Sequence, residues 1–154
     1  MGPWYRVFGS NDRQPAAEAI ARHLQGLGIE AAIEVDEDDL GWYRLIIGLA
    51  VRGQNLRIER FLSSEQGVRA ELNTWAAWLE TREENPHHES LMQRIIATSQ
   101  LIAWQCPGER PAILESASPS IELCRLFAGA TDGIYHVDDQ GFFNADGALL
   151  VKED

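Results

Sequence analysis

The chain has 154 residues, 45% of them hydrophobic, and 13 basic side chains stand against 24 acidic ones for a formal net charge of -11. That length and composition describe one compact domain (residues 1–154) that buries a core without cross-links, and they exclude a disordered chain. The charge repels phosphate backbones, so no nucleic-acid partner is expected, and no stretch reaches the roughly 18 to 20 apolar residues of a membrane span. Met1–Arg6 lacks the basic and apolar segments of a secretion signal, so the expected address is cytoplasmic. Lys152 is the sole lysine beside abundant Arg, Ala and Gly, a coding bias associated with GC-rich bacterial genomes.

Residues 4–9 read as a strand, and a helix follows from Pro15 to about Leu27, with Ile20, Leu24 and Leu27 as its apolar stripe. Ile29 to Asp36 alternates apolar and charged residues, as a half-exposed strand does. The run from Trp42 to Val51 is nearly continuous in apolar residues, which predicts a central strand covered on both faces or shielded by another layer. A turn at residues 52–55 leads to Leu56–Leu62, whose Arg57, Glu59 and Arg60 fit an edge or half-exposed strand.

Ser63 or Ser64 is the candidate cap of a long helix from Glu65 to about Glu84, with Val68, Leu72, Trp75 and Leu79 along one face. Asn85-Pro86 breaks it, and a second helix from His87 or His88 carries Leu91, Met92, Ile95 and Ile96. Leu101–Trp104 reads as a strand and residues 107–118 as a loop. Ser118-Pro119 opens a helix to about Ala130, and three short strands follow, joined by Asp139-Gln140-Gly141 and Ala145-Asp146-Gly147 turns.

One pattern recurs. Asp39-Leu40-Gly41-Trp42-Tyr43 is echoed one hundred residues later by Asp139-Gln140-Gly141-Phe142-Phe143, and upstream of each lie a Val-Asp strand end and a proline-led helix. Strand, helix and three strands thus occur twice. The expected class is α+β: antiparallel sheet with helices on one face, built as ferredoxin-like pseudo-repeat halves 1–85 and 86–154.

Chemistry is harder to find. Phe8-Gly9-Ser10-Asn11-Asp12 lies between a strand and a helix but has neither the spaced glycines nor the Lys-Ser/Thr pair of a phosphate loop, so it reads as ordinary capping. His87-His88-Glu89 lacks the i, i+4 spacing that puts two ligands on one helix face. His136 reads as a satisfied sheet residue, and Trp75, Trp78 and Trp104 read as core. Cys106 and Cys124 lack metal or redox spacing and read as buried thiols. No catalytic residue, cofactor site or metal site is assigned.

The remaining feature is the acidic segment Glu34, Asp36, Glu37, Asp38 and Asp39, which lacks the ligand spacing of a calcium loop. Read as an interaction surface, it points to a basic protein partner, because clustered like charges act mainly on association rate and partner choice. The leading expectation is a non-enzymatic domain working through protein contacts, as an adaptor, inhibitor or immunity-like antagonist. The alternative is a small-molecule sensor with its ligand between two βαβ halves, and the third is an enzyme of unrecognised type. A homodimer through edge strands is a further expected arrangement.

Overall fold

The computed structural model describes residues 2–49, 54–65, 67–82, 85–106 and 118–153. Its elements are β1 (Trp4–Gly9), α1 (Ala17–Gly26), β2 (Ala31–Asp38), β3 (Gly41–Leu49), β4 (Gln54–Leu62), α2 (Val68–Glu80), α3 (His88–Ile96), β5 (Gln100–Gln105), α4 (Pro119–Ala130), β6 (Ile134–Val137), β7 (Gly141–Asn144) and β8 (Leu149–Lys152). The α+β class holds. The strands form one eight-stranded sheet in the order β2-β3-β4-β5-β1-β6-β7-β8, and every neighbouring pair is antiparallel. Val51, Arg52, residues 83–84 at the expected end of the long helix, and residues 107–117 of the expected loop lie outside the described residues, and α2 ends at Glu80.

The repeated order strand, helix, three strands is present, but the halves interlock. β1 pairs with β6 of the other half, and β5 pairs with β4 of the first. The first meander meets the sheet centre through its last strand, the second through its first strand, so no two-fold relation of ferredoxin-like halves arises. Across the intervening antiparallel neighbours, β1 and β2 run parallel, as do β5 and β6, which makes α1 and α4 crossover helices. The two crossovers leave antiparallel central strands in opposite lateral directions. Connections of the same hand then fall on the same face, in keeping with the general handedness rule.

Helices cover both faces, which corrects the one-face expectation. Ile20, Leu24, Leu123, Cys124 and Phe127 of α1 and α4 pack with Tyr5, Val7, Leu45, Ile47, Leu56, Ile58, Ile102 and Trp104. On the opposite face Val68, Leu72, Leu79, Leu91 and Ile95 of α2 and α3 cover Phe8, Leu101, Ile134, Phe142 and Val151. The reason lies in the strands: all four residues of β6 are buried, so apolar contacts are needed on both sides of it. Both cysteines are buried.

The second apolar core ends at Phe61 of β4, which is half-buried against it. β2, β3 and β4 form a wing whose surface opposite α1 and α4 has no described helix over it. β3 is therefore covered on one face, not two. Its unbroken apolar look has a local cause: a bulge leaves Tyr43 without a partner between the pairs Asp36–Arg44 and Glu37–Trp42, so Trp42 turns to the same side as Leu45. β4 is an interior strand, half-exposed through Arg57 and Glu59.

The echoed Asp-x-Gly-aromatic motif is turn chemistry. Gly41 and Gly141 enter β3 and β7 with φ of 103° and 130°. A Cβ would strike the Gln14 side chain at Gly41 and the Val151 carbonyl at Gly141. Helix starts shift by a turn or less from expectation: α1 begins at Ala17, which leaves Leu27 46% exposed at its end, and α2 begins at Val68 behind a left-handed Gly67, not behind a serine.

Phe127 ties the larger core together, its ring centroid 6.0 Å from that of Trp42 and 5.8 Å from that of Trp104. Phe127→Ala should cost about 3–5 kcal/mol in urea unfolding. A loss below about 1 kcal/mol would contradict this packing.

Candidate functional site

One lateral row crosses the whole sheet on the face opposite α1 and α4. Successive strand pairings align Asp36, Arg44, Glu59, Ala103, Arg6, His136, Phe142 and Val151, one residue from each strand. The row runs from solvated ion pairs in the wing to dry core under α2 and α3, with a small residue, Ala103, at the junction.

At the wet end, Arg44 donates to Asp36 Oδ2 from Nε at 2.7 Å, with Nη2 at 2.6 Å from the same oxygen. Arg57 lies 3.6 Å from Glu59. Two of the five carboxylates of the expected acidic segment are thus engaged: Asp36 with Arg44, and Asp38, whose Oδ1 accepts the Leu40 N–H at 2.8 Å. Glu34, Glu37 and Asp39 are exposed. Strand alternation also divides the five carboxylates, because Glu34 and Asp36 project from the open face and Glu37, paired with Trp42, from the other. Val35, Leu40 and Tyr43 are 39%, 66% and 43% exposed among these charges.

At the dry end, Arg6 donates from Nη1 to Asp138 Oδ1 at 2.7 Å and lies 3.4 Å from Glu71. Its guanidinium carbon is 5.1 Å from the Trp75 ring centre and 5.9 Å from that of Trp4. His136 is fully buried between Trp75 and Phe142, at centroid distances of 4.3 and 4.7 Å. Neither ring nitrogen makes a hydrogen bond, although Glu153 Oε1 is 3.4 Å from Nε2 and Asp138 Oδ1 is 3.9 Å from Nδ1. Burial first, then the Arg6 charge, lowers the imidazole pKa to about 3, against a raising influence from Asp138. His136 is thus buried as its place on a strand implies, but unsatisfied.

Between the wing and the centre stands a buried clasp that sequence reading missed. β3 and β4 pair only as far as Arg44–Glu59, whereas β4 continues along β5 to Leu62–Gln100, so the start of β3 splays from β4. Arg60, 5% exposed, bridges the gap. It donates from Nε to Gln100 Oε1 at 2.7 Å, from Nη1 to the Leu40 and Trp42 carbonyls at 3.2 and 3.1 Å, and from Nη2 to the Asp12 carbonyl at 3.1 Å. Gln100 donates to the carbonyls of Asn11 and Arg13, both at 2.6 Å. Gln14 accepts the Trp42 N–H at 2.7 Å, and the Trp42 indole donates to the Pro15 carbonyl at 2.9 Å. The loop before α1 therefore turns its carbonyls inward as acceptors, which does not suit an anion.

Two cavities open on either side of Phe61. One of about 400 Å³ lies over Ala103, between Trp4, Arg6, Leu101 and the α2 residues Val68 and Glu71. The other, of about 380 Å³, fills the splay and is bordered by Asp38, Leu40, Tyr43, Glu59 and Glu65. His23 and the His87-His88-Glu89 segment gather no ligand set: among the described residues no group of three or more His, Cys, Asp or Glu side chains is placed to hold a metal. No described helix is long and apolar enough to cross a membrane. Compared with known proteins, the chain matches no family model, no curated protein sequence and no solved structure.

Two outcomes follow. Arg60→Leu strands three carbonyls and the Gln100 amide, and should cost about 3 kcal/mol in urea unfolding, as should Gln100→Leu, with the double variant costing clearly less than the sum. Additive small losses would remove the clasp from the account. For His136, the folded state holds the imidazole neutral while the unfolded chain protonates near pH 6.5. Its contribution is therefore complete above pH 6.5 and is lost as pH falls toward about 3. Relative to His136→Phe, which removes the titrating group, the parent should lose up to about 1.4 kcal/mol per pH unit in that window. A constant difference between pH 7 and 4 contradicts it.

Proposed function

We propose that this chain is a non-enzymatic protein-contact domain whose β2–β4 wing docks a basic partner. The observation that carries the reading is the wing's open face: exposed Leu40 and Tyr43 stand beside Asp38 and Glu59, with Glu34 and Asp36 on the same face and no described helix above them. A mixture of aromatic anchor, apolar contact and charge is the usual make-up of a docking patch. The net charge of -11 adds a long-range attraction that speeds encounter with a basic protein.

Two further features support this reading over its rivals. His136, the most perturbed imidazole, is sealed from solvent and out of reach of a substrate. The carboxylates along the edge strand β2 oppose its pairing with the same edge of a second copy, which favours a heterologous partner over a homodimer.

A photo-crosslinking amino acid at Tyr43, in cells that make the protein, should trap a polypeptide with a basic surface. The same group at Gln25, on the exposed end of α1, should not. Glu34→Lys with Asp39→Lys should reduce the Tyr43 adduct at least fivefold, because two attractions become repulsions. An adduct equally strong at both positions, or one indifferent to charge reversal, would defeat the proposal.

A further inference from the structure

The paired cavities specify more than a basic surface. Resting on the docking reading above, we propose that they are two side-chain sockets, divided by Phe61, for two guanidinium groups from one extended segment of the partner.

The geometry comes from strand pairing. Glu59 and Phe61 project from the open face of β4, opposite Ala103 and Leu101 of β5, and Ala103 in turn faces Arg6 of β1. A large residue at 103 would fill the space between the Glu59 and Arg6 side chains; alanine leaves the first cavity open. The second cavity exists because β3 departs from β4 beyond Arg44–Glu59 while the Arg60 clasp holds the two strands apart. Phe61 belongs to both walls. In an extended peptide, side chains at i and i+2 share a face about 7 Å apart, a repeat suited to adjoining sockets.

The charges select cations. Asp38, Glu59 and Glu65 border the second cavity against one cation, Arg60, whose donors are directed to Gln100 and three carbonyls. In the first, Arg6 stands between two carboxylates, Asp138 at 2.7 Å behind the cavity and Glu71 at 3.4 Å on its rim, so the three groups together carry one net negative charge. The exposed rings of Trp4 in one socket and Tyr43 in the other are already approached by this chain's own Arg6 at 5.9 Å and Arg44 at 5.8 Å, the ring contact that a partner's guanidinium would share. Arginine suits both demands better than lysine, since its planar group stacks and pairs at once.

The probe is the blocked tripeptide acetyl-Arg-Ala-Arg-amide, titrated into the 15N-labelled full chain at low salt, with acetyl-Leu-Ala-Leu-amide as comparator. The arginine peptide should shift the amides of Phe61, Glu65, Val68 and Glu71 and the Trp4 indole, and the leucine peptide should not. Glu65→Gln, Glu71→Gln and the cavity-filling Ala103→Leu should each weaken binding about threefold to tenfold with unchanged melting temperature. Equal shifts from both peptides would overturn the inference, as would no shift at millimolar peptide. Shifts confined to β2 would overturn the sockets while leaving the basic-partner reading intact, and the Tyr43 cross-link decides that reading on its own.

Discussion

The arrangement depends on one buried cation. Arg60 sits almost without solvent and has no carboxylate in contact among the described residues; carbonyl and amide oxygens from the loop before α1, the start of β3 and β5 satisfy it instead. Burial works against its charge, and the neighbouring Asp12, Asp38 and Glu65 work for it. An arginine stays charged under all ordinary conditions, so those oxygens must remain in place for the fold to tolerate it. The first loop, the β2–β3 hairpin and the sheet centre are thereby fixed relative to one another, and the same fixing holds open the gap beside Phe61.

Around this clasp the sheet changes character along a single row. From Asp36 to Glu59 each side chain meets a neighbour of opposite sign in water; Arg6 is half-buried against Asp138 and Trp75, and from His136 to Val151 the side chains are buried. α2 and α3 cover the dry part, and their apolar contacts reach no further into the wing than Phe61 of β4. The wing is left as an antiparallel sheet with one wet face, a stable arrangement in itself and a surface for contact. Exposed ion pairs such as Arg44–Asp36 contribute little to stability, and their main effect is on the charge pattern a partner meets.

Much of the local structure was legible in the sequence. The Asp-x-Gly-aromatic echo marked two hairpins because a positive φ at glycine is a short-range demand, and Val68, Leu72 and Leu79 marked α2 by helical spacing. Cover on both faces was not legible, because a four-residue strand such as β6 shows no period that separates one buried face from two. The exchange of β1 and β5 between halves depends on long-range pairing. Arg60 looked like a surface charge in an alternating strand, since its acceptors are mostly backbone carbonyls that sequence does not reveal. The acidic segment was visible as a block, but its division between faces follows from register.

The claim that the open wing is the working surface meets its most direct test in hydrogen–deuterium exchange of the chain alone and in complex with the partner trapped at Tyr43. The account predicts new protection over β2, β3, β4 and the first turn of α2, with α1 and α4 unchanged. Protection over α1 and α4, or along β8 at the far edge, would contradict it.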